Sequence, residues 1–280
     1  MIKNKKILKK LFYKDSMKTK LQLILLSFIA LLLATFTINY FSRKPSIVPE
    51  HHHKKTLRLA VSADNPPFTF FKDGVFQGFE IELIKELGSR TDYNLEILDL
   101  DFGGLIPAVK NNVVDFSISS FNITPERQKS ISFSQPYYES IPTVIGYQKY
   151  TTIDQLSNKT IGVQHGSIWE VVAKKLATDD PTITVLGFHR INQIAQELSQ
   201  KSIDAILIDA QVAKKICKTK TEWLAEELDI PNENNSYGII FRHHSPLIKE
   251  FNDKIIEIKN DGTLNKLVEK WFNITELDNK

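Results

Sequence analysis

The stretch Asp115–Arg127, D-F-S-I-S-S-F-N-I-T-P-E-R, organises the rest of the chain. It begins with the alternating apolar and polar residues of a β-strand. It ends at a helix start, with Thr124 suited to the N-cap, Pro125 to the first helical position and Glu126 to the positive end of the helix dipole. Such a start favours an anion, and Arg127 could hold a carboxylate through two parallel hydrogen bonds. The stretch predicts a carboxylate receptor; an ordinary strand-turn-helix with a surface arginine stays the alternative.

Charge is segregated along the chain. Residues 1–55 carry 12 lysines and arginines against 2 acidic residues, which leaves 24 basic and 31 acidic residues in the remainder, a net charge of −7. An acidic body gives no support for nucleic-acid binding. Apolar residues make up 42% of the 280 residues, and this content is sufficient for the core of one or two domains.

An uncharged segment, Leu21–Ser42, follows a basic region, residues 1–20, that contains eight lysines. A bilayer-spanning helix needs about 20 apolar residues, whereas the core of a cleavable signal peptide has about 7–15. The length therefore favours an uncleaved membrane anchor, and the lysines would keep the N-terminus in the cytoplasm and the body outside. A cleaved signal peptide stays the alternative, and a start at Met17 would favour it.

Cysteine and histidine usage predicts neither a disulfide nor a metal site. Cys217 is the only cysteine, so no intrachain disulfide can form. Residues 43–55 contain prolines and charges and are typical of an extended linker. The linker histidines, His51, His52 and His53, have a single acidic neighbour, Glu50, and no cysteine near them, so we interpret them as part of a solvated linker and not as a metal site. We therefore expect no metal and no cofactor.

Strands and helices alternate through the first part of the body. The predicted elements are a strand at Thr56–Ser62, a helix from Phe79 to Leu87, a strand at Leu95–Leu100, a turn at Asp101–Gly104 and a helix from Leu105. This order is typical of a mainly parallel α/β sheet, in which ligands bind at the carboxyl ends of the strands. Loops at Asn65–Phe68, at Phe102 and at Ser119–Arg127 follow strand ends, so we expect them to converge.

A second unit of the same kind begins after the strand Pro142–Tyr147 and the polar stretch Gln148–Thr152. The elements predicted from this region onward are strands at Pro142–Tyr147, Thr160–Val163, Thr182–Leu186, Ala205–Ile208 and Tyr237–Phe241, and helices at Ile168–Leu176, Ile191–Ser199, Pro246–Lys259 and Leu264–Trp271. The loop Gln164–Ser167 joins a strand end to a helix start and is a second candidate for anion binding. Residues from Asp209 to Asn235 indicate helical and polar segments.

Ten short motifs together resemble the family-3 extracellular solute-binding proteins, which bind polar amino acids for ABC importers. They are L-R-L-A-V (57–61), P-P-F (66–68), G-F-E-I-E-L (78–83), D-F-G-G-L-I-P-A (101–108), I-T-P-E-R (123–127), I-S-F-S-Q-P-Y (131–137), I-G-V-Q-H-G-S (161–167), D-A-I-L-I-D (204–209), Y-G-I (237–239) and G-T-L-N-K-L-V-E-K-W-F (262–272). Each motif alone is weak, but their common order identifies the chain as a member of that family.

The resemblance implies a periplasmic binding protein-like fold of type II, with two α/β lobes joined by a two-strand hinge. The first lobe would comprise residues 56–146 and 236–273, the second residues 147–235, and residues 274–280 would form a tail. The hinge would lie near Tyr147–Lys149 and Asn234–Tyr237. Closure of such lobes on a ligand is a recurring hinge motion.

The resemblance also implies a ligand site of eight residues. They are Asn65, Phe102, Ser119, Ser120, Asn122, Arg127, Ser167 and Asp209. Arg127 would clamp the α-carboxylate of the ligand, helped by backbone N–H groups at Asn122 and Ser167. Asp209 would take the α-ammonium, with an oxygen contributed by Ser120. An arginine and an aspartate a few ångströms apart are what a zwitterion requires.

Three further positions bear on which amino acid binds. Phe102 would stack on the ligand side chain or pack in the core, and Phe68 fits the core better. Asn65 stands where many relatives place a second stacking aromatic, which weakens an assignment to arginine or lysine. The sequence therefore predicts a polar amino acid as ligand without naming it.

Two other functions remain open at this stage. Some proteins of this fold dehydrate prephenate or arogenate with a carboxyl group as general acid, and Glu170 or Glu139 could supply one. The fold also occurs as a ligand-sensing receptor domain. Our leading prediction is a monomeric, non-enzymatic binding protein on the extracytoplasmic face of the cytoplasmic membrane, with an amino acid and ABC permease subunits as partners.

Overall fold

The computed structural model describes residues 20, 25–37, 54–230 and 235–272. The chain divides into two units, Met1–His53 and Lys54–Lys280. Outside the described residues lie nearly all of the predicted basic region, the ends of the predicted anchor, linker residues 43–53, the hinge residue Asn234 and the tail. In the first unit, residues 25–37 form helix α1. Within the described ranges, no helix has the length and apolar character needed to cross a bilayer.

The second unit is built from short strands and helices in alternation. Its helices are α2 (Phe79–Ser89), α3 (Phe102–Lys110), α4 (Pro125–Gln128), α5 (Ile168–Asp179), α6 (Ile191–Ser199), α7 (Ala210–Thr219), α8 (Leu247–Asn260) and α9 (Thr263–Phe272), with a 3₁₀ turn at Ile153–Leu156. Its strands are β1 (Lys55–Val61), β2 (Asp64–Asn65), β3 (Thr69–Lys72), β4 (Val75–Gln77), β5 (Tyr93–Asp99), β6 (Phe116–Ser117), β7 (Ser132–Phe133), β8 (Tyr138–Glu139), β9 (Pro142–Gly146), β10 (Thr160–Gln164), β11 (Thr184–Phe188), β12 (Ala205–Asp209), β13 (Leu224–Glu227), β14 (Ser236–Tyr237) and β15 (Ile240–Phe241).

Two five-stranded sheets each form the centre of one lobe. In the first sheet the order is β5-β1-β6-β15-β7, with β1 parallel to β5 and β6, and β15 antiparallel to its neighbours. In the second the order is β11-β10-β12-β9-β13, with β10 parallel to β11 and β12, and β9 antiparallel to its neighbours. The predicted α/β class with two sheet-containing lobes is confirmed.

A two-stranded ribbon of β8 and β14 lies where the chain passes from one sheet to the other. Tyr138 pairs with Tyr237, and Glu139 with Ser236. The chain leaves the first lobe through β8 and returns to it through β14. The rings of Tyr138 and Tyr237 pack against Phe68, with centroids 5.1 and 5.6 Å apart, and Phe68 is fully buried. The ribbon is therefore anchored in an aromatic core, and Phe68 lies in the core as the sequence predicts.

The predicted lobe boundary after residue 146 is wrong by one strand. Strand β9 pairs with β12 and β13, so it belongs to the second sheet. Its five residues are all buried, and a strand buried on both faces carries no alternation that would assign it to one lobe. The passage between lobes lies before β9, at the ribbon, and not at Tyr147–Lys149.

Three further elements differ from the sequence prediction. Helix α3 starts at Phe102 and includes both glycines assigned to a turn; a β-carbon on Gly103 would lie 3.6 Å from the carbonyl oxygen of His165 in the other lobe. The predicted strand Tyr237–Phe241 is divided between the ribbon and the first sheet. Strand β13 lies in a segment that the sequence indicates as helical and polar, at the edge of its sheet.

The stretch Asp115–Arg127 keeps its predicted strand-to-helix order in a shorter form. Helix α4 is a single turn in which Pro125 is the first residue, and the Thr124 hydroxyl accepts a hydrogen bond from Arg127 N, as the N-cap prediction requires. Ser117 and Ser119 are as buried as their apolar neighbours. The Ser117 hydroxyl donates to the carbonyl oxygen of Ala60, and that of Ser119 accepts from Ser62 N. The serines of this alternating pattern are therefore buried and make internal hydrogen bonds, and they do not form a solvent-exposed face of the strand.

Candidate functional site

The predicted strand ends meet in a cleft between the lobes. A cavity of about 30 Å³ is lined by Asn65, Phe102, Ser119, Ser120, Asn122, Gln164, Ser167, Ile168, Trp169, Ile191, Ile194, Leu207, Ile208, Asp209 and Tyr237. Seven of the eight predicted site residues are among them. The eighth, Arg127, is hydrogen-bonded to the lining residue Asn122. The volume admits about two water molecules, so the two lobes are closed on one another.

Arg127 joins the two lobes. Its Nη1 donates to the carbonyl oxygen of Asn122 at 2.9 Å, and its Nη2 donates to that of Gly166, in the second lobe, at 3.0 Å. The guanidinium carbon lies 5.9 and 5.5 Å from the ring centroids of Phe102 and Phe121, within the range of a cation–π contact. Burial lowers the pKa of Arg127 to about 10, so the side chain remains a cation at neutral pH.

Asp209 ends β12 and starts helix α7. It is 3% exposed, and its carboxylate accepts hydrogen bonds from Gln211 N at 2.8 Å and from the hydroxyl of Tyr237 at 3.1 Å. Burial raises the pKa of Asp209 to about 6, against the lowering effect of these bonds. A buried carboxylate with a raised pKa is stabilised in its ionised form by an approaching cation.

Glu80 lies beneath the predicted serine loop and was missed by the sequence analysis. It is fully buried, and four donors meet its two oxygens: Thr69 Oγ1 at 2.7 Å, Tyr137 OH at 2.5 Å, Ser120 N at 2.5 Å and Ser120 Oγ at 3.1 Å. Burial raises its pKa, although these hydrogen bonds act in the opposite direction. Ser120 has a φ of 53°, so Glu80 holds this loop in a left-handed conformation that a serine rarely adopts.

Acidic residues of the first lobe bind the start of α6 in the second. Asp64 Oδ2 accepts hydrogen bonds from Ile191 N at 2.7 Å and from Gln164 Nε2 at 3.2 Å. Burial raises the pKa of Asp64. Arg190 Nε donates to Asp101 Oδ1 at 2.6 Å, and Arg190 Nη1 to Asp99 Oδ1 at 3.0 Å. These bonds hold the lobes together beside the cavity, whose lining includes Gln164 and Ile191.

Phe102 and Ser167 line the cavity and also make contacts that support its wall. Phe102 lines the cavity and also stacks on Phe121, with centroids 4.9 Å apart. Ser167 caps helix α5, since its hydroxyl accepts from Glu170 N at 3.1 Å, and its own N–H donates to Gln164 O at 3.2 Å. Phe102 therefore packs in the core and also faces the cavity, and its stacking on a ligand side chain stays a prediction.

The two carboxyl groups considered as general acids stand apart from the cavity. Glu139 is exposed on the ribbon. Burial acts to raise the pKa of Glu170, but hydrogen bonds from Lys174, Gly166 N and His165 lower it below its ordinary value. A general acid needs the opposite shift. Over the described part of the chain, no cluster of three histidine, cysteine or acidic residues could hold a metal ion.

The sequence held a signal for some of the missed residues. Glu80 shares the i, i+4, i+7 spacing with Ile84 and Leu87, which places a charged side chain on the buried face of α2. Asp64 precedes Asn65 at a strand end that was already assigned to the site. Arg190 carried no such signal, because its acidic partners Asp99 and Asp101 come from the other lobe.

Several known proteins are similar to this chain. A family model described as bacterial extracellular solute-binding proteins, family 3, matches residues 57–274. The arginine-binding extracellular protein ArtP of Bacillus subtilis (strain 168) is 34% identical over 227 residues, which cover 78% of this chain and 87% of that protein.

Solved structures with the same fold include two ancestral proteins. An ancestral arginine-binding protein bound to arginine is 32% identical, with a TM-score of 0.74, and the match covers 79% of this chain and 100% of that chain. The ancestral amino acid-binding protein AncCDT-1, a precursor of cyclohexadienyl dehydratase, is 31% identical, with a TM-score of 0.70, 78% of this chain and 95% of that chain being covered.

Proposed function

The chain belongs to the bacterial extracellular solute-binding proteins of family 3, and we propose that it captures a polar amino acid outside the cytoplasm and delivers it to an ABC importer. The observation that carries the proposal is the cleft, where the buried carboxylate Asp209 lines the cavity from the second lobe and the cation Arg127 of the first lobe is hydrogen-bonded to the lining residue Asn122. Their charges complement the carboxylate and the ammonium of an α-amino acid. On this proposal the protein binds its ligand without converting it chemically.

In the proposed complex, the ligand carboxylate replaces one of the two protein carbonyl groups that accept hydrogen bonds from Arg127. One arm of the guanidinium is bonded to Asn122 O, and the other to Gly166 O at 3.0 Å. A carboxylate is a stronger acceptor than a neutral carbonyl and can accept two parallel N–H bonds. The cavity residues Asn122 and Ser167 flank this position from the two lobes, so we assign them to the same end of the ligand.

The ligand ammonium binds Asp209. A cation beside this carboxylate offsets the burial that raises its pKa to about 6. Ser119 and Ser120 line the same cavity and supply oxygens close to the site. Phe102 provides an apolar wall for the ligand side chain, and Asn65 lies at the end of β2 in the same wall.

Ligand exchange requires the lobes to separate at the ribbon. A cavity of about 30 Å³ is too small for an amino acid, and the contacts of Asp64, Arg127 and Arg190 across the cleft must break for one to enter. Strands β8 and β14 are two residues long and belong to neither sheet, so they are the segments that can bend without disrupting a sheet. We assign the hinge to this ribbon.

The N-terminal segment tethers the protein to the cytoplasmic membrane. Helix α1 contains no charged residue, and its large apolar side chains are between 47% and 70% exposed. The eight lysines before it favour a cytoplasmic N-terminus. A monomer is sufficient for the proposed function, because the whole site lies within one chain. Protease protection of the N-terminus in sealed spheroplasts would test this orientation.

Calorimetry of the full-length protein against the twenty amino acids tests the function. We expect one or a few polar amino acids to bind, and no binding below the millimolar range would refute the proposal. Arg127→Ala should weaken binding by about 30-fold or more, as for a buried charge that loses its partner, and should abolish ligand-dependent compaction in X-ray scattering. Arg58→Ala is the control, since Arg58 is exposed on β1 and bonds to Asn112 O in its own lobe.

A further inference from the structure

Asn65 presents an unpaired acceptor to the cavity. Its Nδ2 donates to Ser120 Oγ at 3.3 Å, whereas its Oδ1 is buried and has no hydrogen-bond partner within the described residues. Most buried polar atoms are hydrogen-bonded, and an exception at a cavity wall needs a reason. Asn65 lines the cavity, so a ligand can supply the missing donor.

The orientation of the Asn65 amide is fixed by its neighbours. A serine hydroxyl has one hydrogen to donate, and Ser120 donates it to Glu80 Oε1 at 3.1 Å. Ser120 Oγ can therefore only accept a hydrogen bond from Asn65, so the amide nitrogen of Asn65 must face Ser120 Oγ. Glu80 is held in turn by Thr69 and Tyr137. This chain of hydrogen bonds keeps Asn65 Oδ1 as the atom that remains unpaired.

The other groups near this wall are unfavourable for a negatively charged side chain. The described residues that line the cavity include no lysine, arginine or histidine. Asp64 is adjacent to Asn65, and Glu80 lies behind Ser120. A carboxylate on the ligand side chain would meet hydrogen-bond acceptors in this region and no cationic donor. Its negative charge would also be repelled by the nearby carboxylates, because like charges repel strongly in a poorly solvated cleft.

We propose that Asn65 determines the specificity of the site by accepting a hydrogen bond from an N–H group on the ligand side chain. The inference rests on the proposed function and extends it. The site then selects amino acids whose side chains end in an amide, imidazole, ammonium or guanidinium group. It discriminates against side chains that end in a carboxylate or a methyl group.

Calorimetry on the full-length protein with matched ligands tests the inference. Glutamine and glutamate have the same shape, and norleucine has a chain of similar length without an N–H group. Leaving a buried polar group unpaired lowers affinity by about tenfold to a hundredfold. We expect at least a tenfold preference for glutamine over each of the other two, and equal affinity for glutamine and glutamate would overturn the proposal.

Asn65→Leu removes the acceptor while keeping the number and the branching of the side-chain heavy atoms. The preference for glutamine over norleucine should then fall to about twofold or less. Asn94→Leu is the matched control, because Asn94 is exposed on β5, and it should leave the preference unchanged. If Asn65→Leu weakens the binding of glutamine and norleucine equally, Asn65 supports the structure of the lobe and does not determine specificity, and the proposal is overturned. If amino acids bind without an N–H preference, only this inference fails; if none binds, the proposed function fails with it.

Discussion

Gly103 in the first lobe and Gly166 in the second are in contact across the cleft: a β-carbon added to Gly166 would lie 3.2 Å from Gly103 Cα. Gly166 has a φ of 77°, which an L side chain rarely adopts. The carbonyl of this same residue accepts the hydrogen bond from Arg127. The glycine pair therefore lets the lobes approach closely enough for Arg127 to reach across.

This contact predicts that a large side chain at Gly103 would hold the lobes apart. A β-carbon on Gly103 meets His165 O at an ordinary 3.6 Å, but the branches of a leucine would extend into the second lobe. Gly103→Leu should weaken amino-acid binding at least tenfold and enlarge the protein in X-ray scattering. Gly104→Leu is the matched control, because a β-carbon there has no atom within 4 Å. Similar affinities for the two variants would contradict the assignment of this surface to closure.

The raised pKa of Asp209 predicts a pH dependence of binding. The carboxylate has a pKa of about 6 in the closed structure, and a bound ammonium lowers it, because the ionised form gains an opposite charge. Affinity should be constant above about pH 7 and fall about tenfold per pH unit below pH 6, until the pKa of the complex is reached. Calorimetry between pH 5 and 8 measures this effect. Asp209→Asn should bind weakly at every pH, and a wild-type affinity that is flat down to pH 5 would exclude Asp209 as the ammonium partner.

The hydrogen bonds to Glu80 predict that this residue contributes to stability. Glutamine at this position would place its amide N–H₂ group against hydrogen-bond donors that now bind an oxygen of the Glu80 carboxylate. Glu80→Gln should lower the free energy of unfolding by about 1–3 kcal/mol, the cost of an unsatisfied buried group, as measured by urea denaturation. Glu82→Gln on the same helix removes only a surface pair with Lys270 at 2.7 Å and should cost less than about 1 kcal/mol. Unchanged stability of Glu80→Gln would mean that Glu80 is protonated in the fold.

The bonds between Arg190 and its two aspartates predict an effect on affinity without ligand contact. Both pairs are partly exposed, and such pairs contribute about 0.2–1 kcal/mol each. Since they exist only when the lobes are closed, Arg190→Gln should reduce the closed fraction and weaken binding about two- to thirtyfold. The difference from wild type should shrink as salt is added. Arg58→Gln is the control, and a salt-independent loss would point to a different cause.

The sequence predicted those parts of the site that lie within single motifs. Thr124, Pro125 and Arg127 are neighbours in the chain, so their cap and helix positions follow from local rules. Asp209 was predicted at the end of a strand, and the structure has it there as the N-cap of α7. The expectation of two lobes comes from the resemblance to the family, which rests on the common order of the motifs.

What the sequence could not predict depends on contacts between distant segments. The sequence predicts strand β9 in the first lobe and not in the second, because its partners β12 and β13 come later in the chain. The sequence predicts a turn at the glycines of α3, because the residue that needs the space, His165, lies in the other lobe. The bonds of Arg190 and Asp64 arise in the same way. Local patterns thus define the elements, and the closed arrangement of the lobes defines which side chains meet.

The position of β15 also fixes the order in which the two sheets can be completed during synthesis. Residues Ile240–Phe241 separate β6 from β7 in the first sheet. Strands β9 to β13 of the second sheet follow one another between Pro142 and Glu227 and need no later segment. On the ribosome, the lobe whose residues emerge first is therefore the last to be finished, and its sheet remains divided until the second lobe has been made.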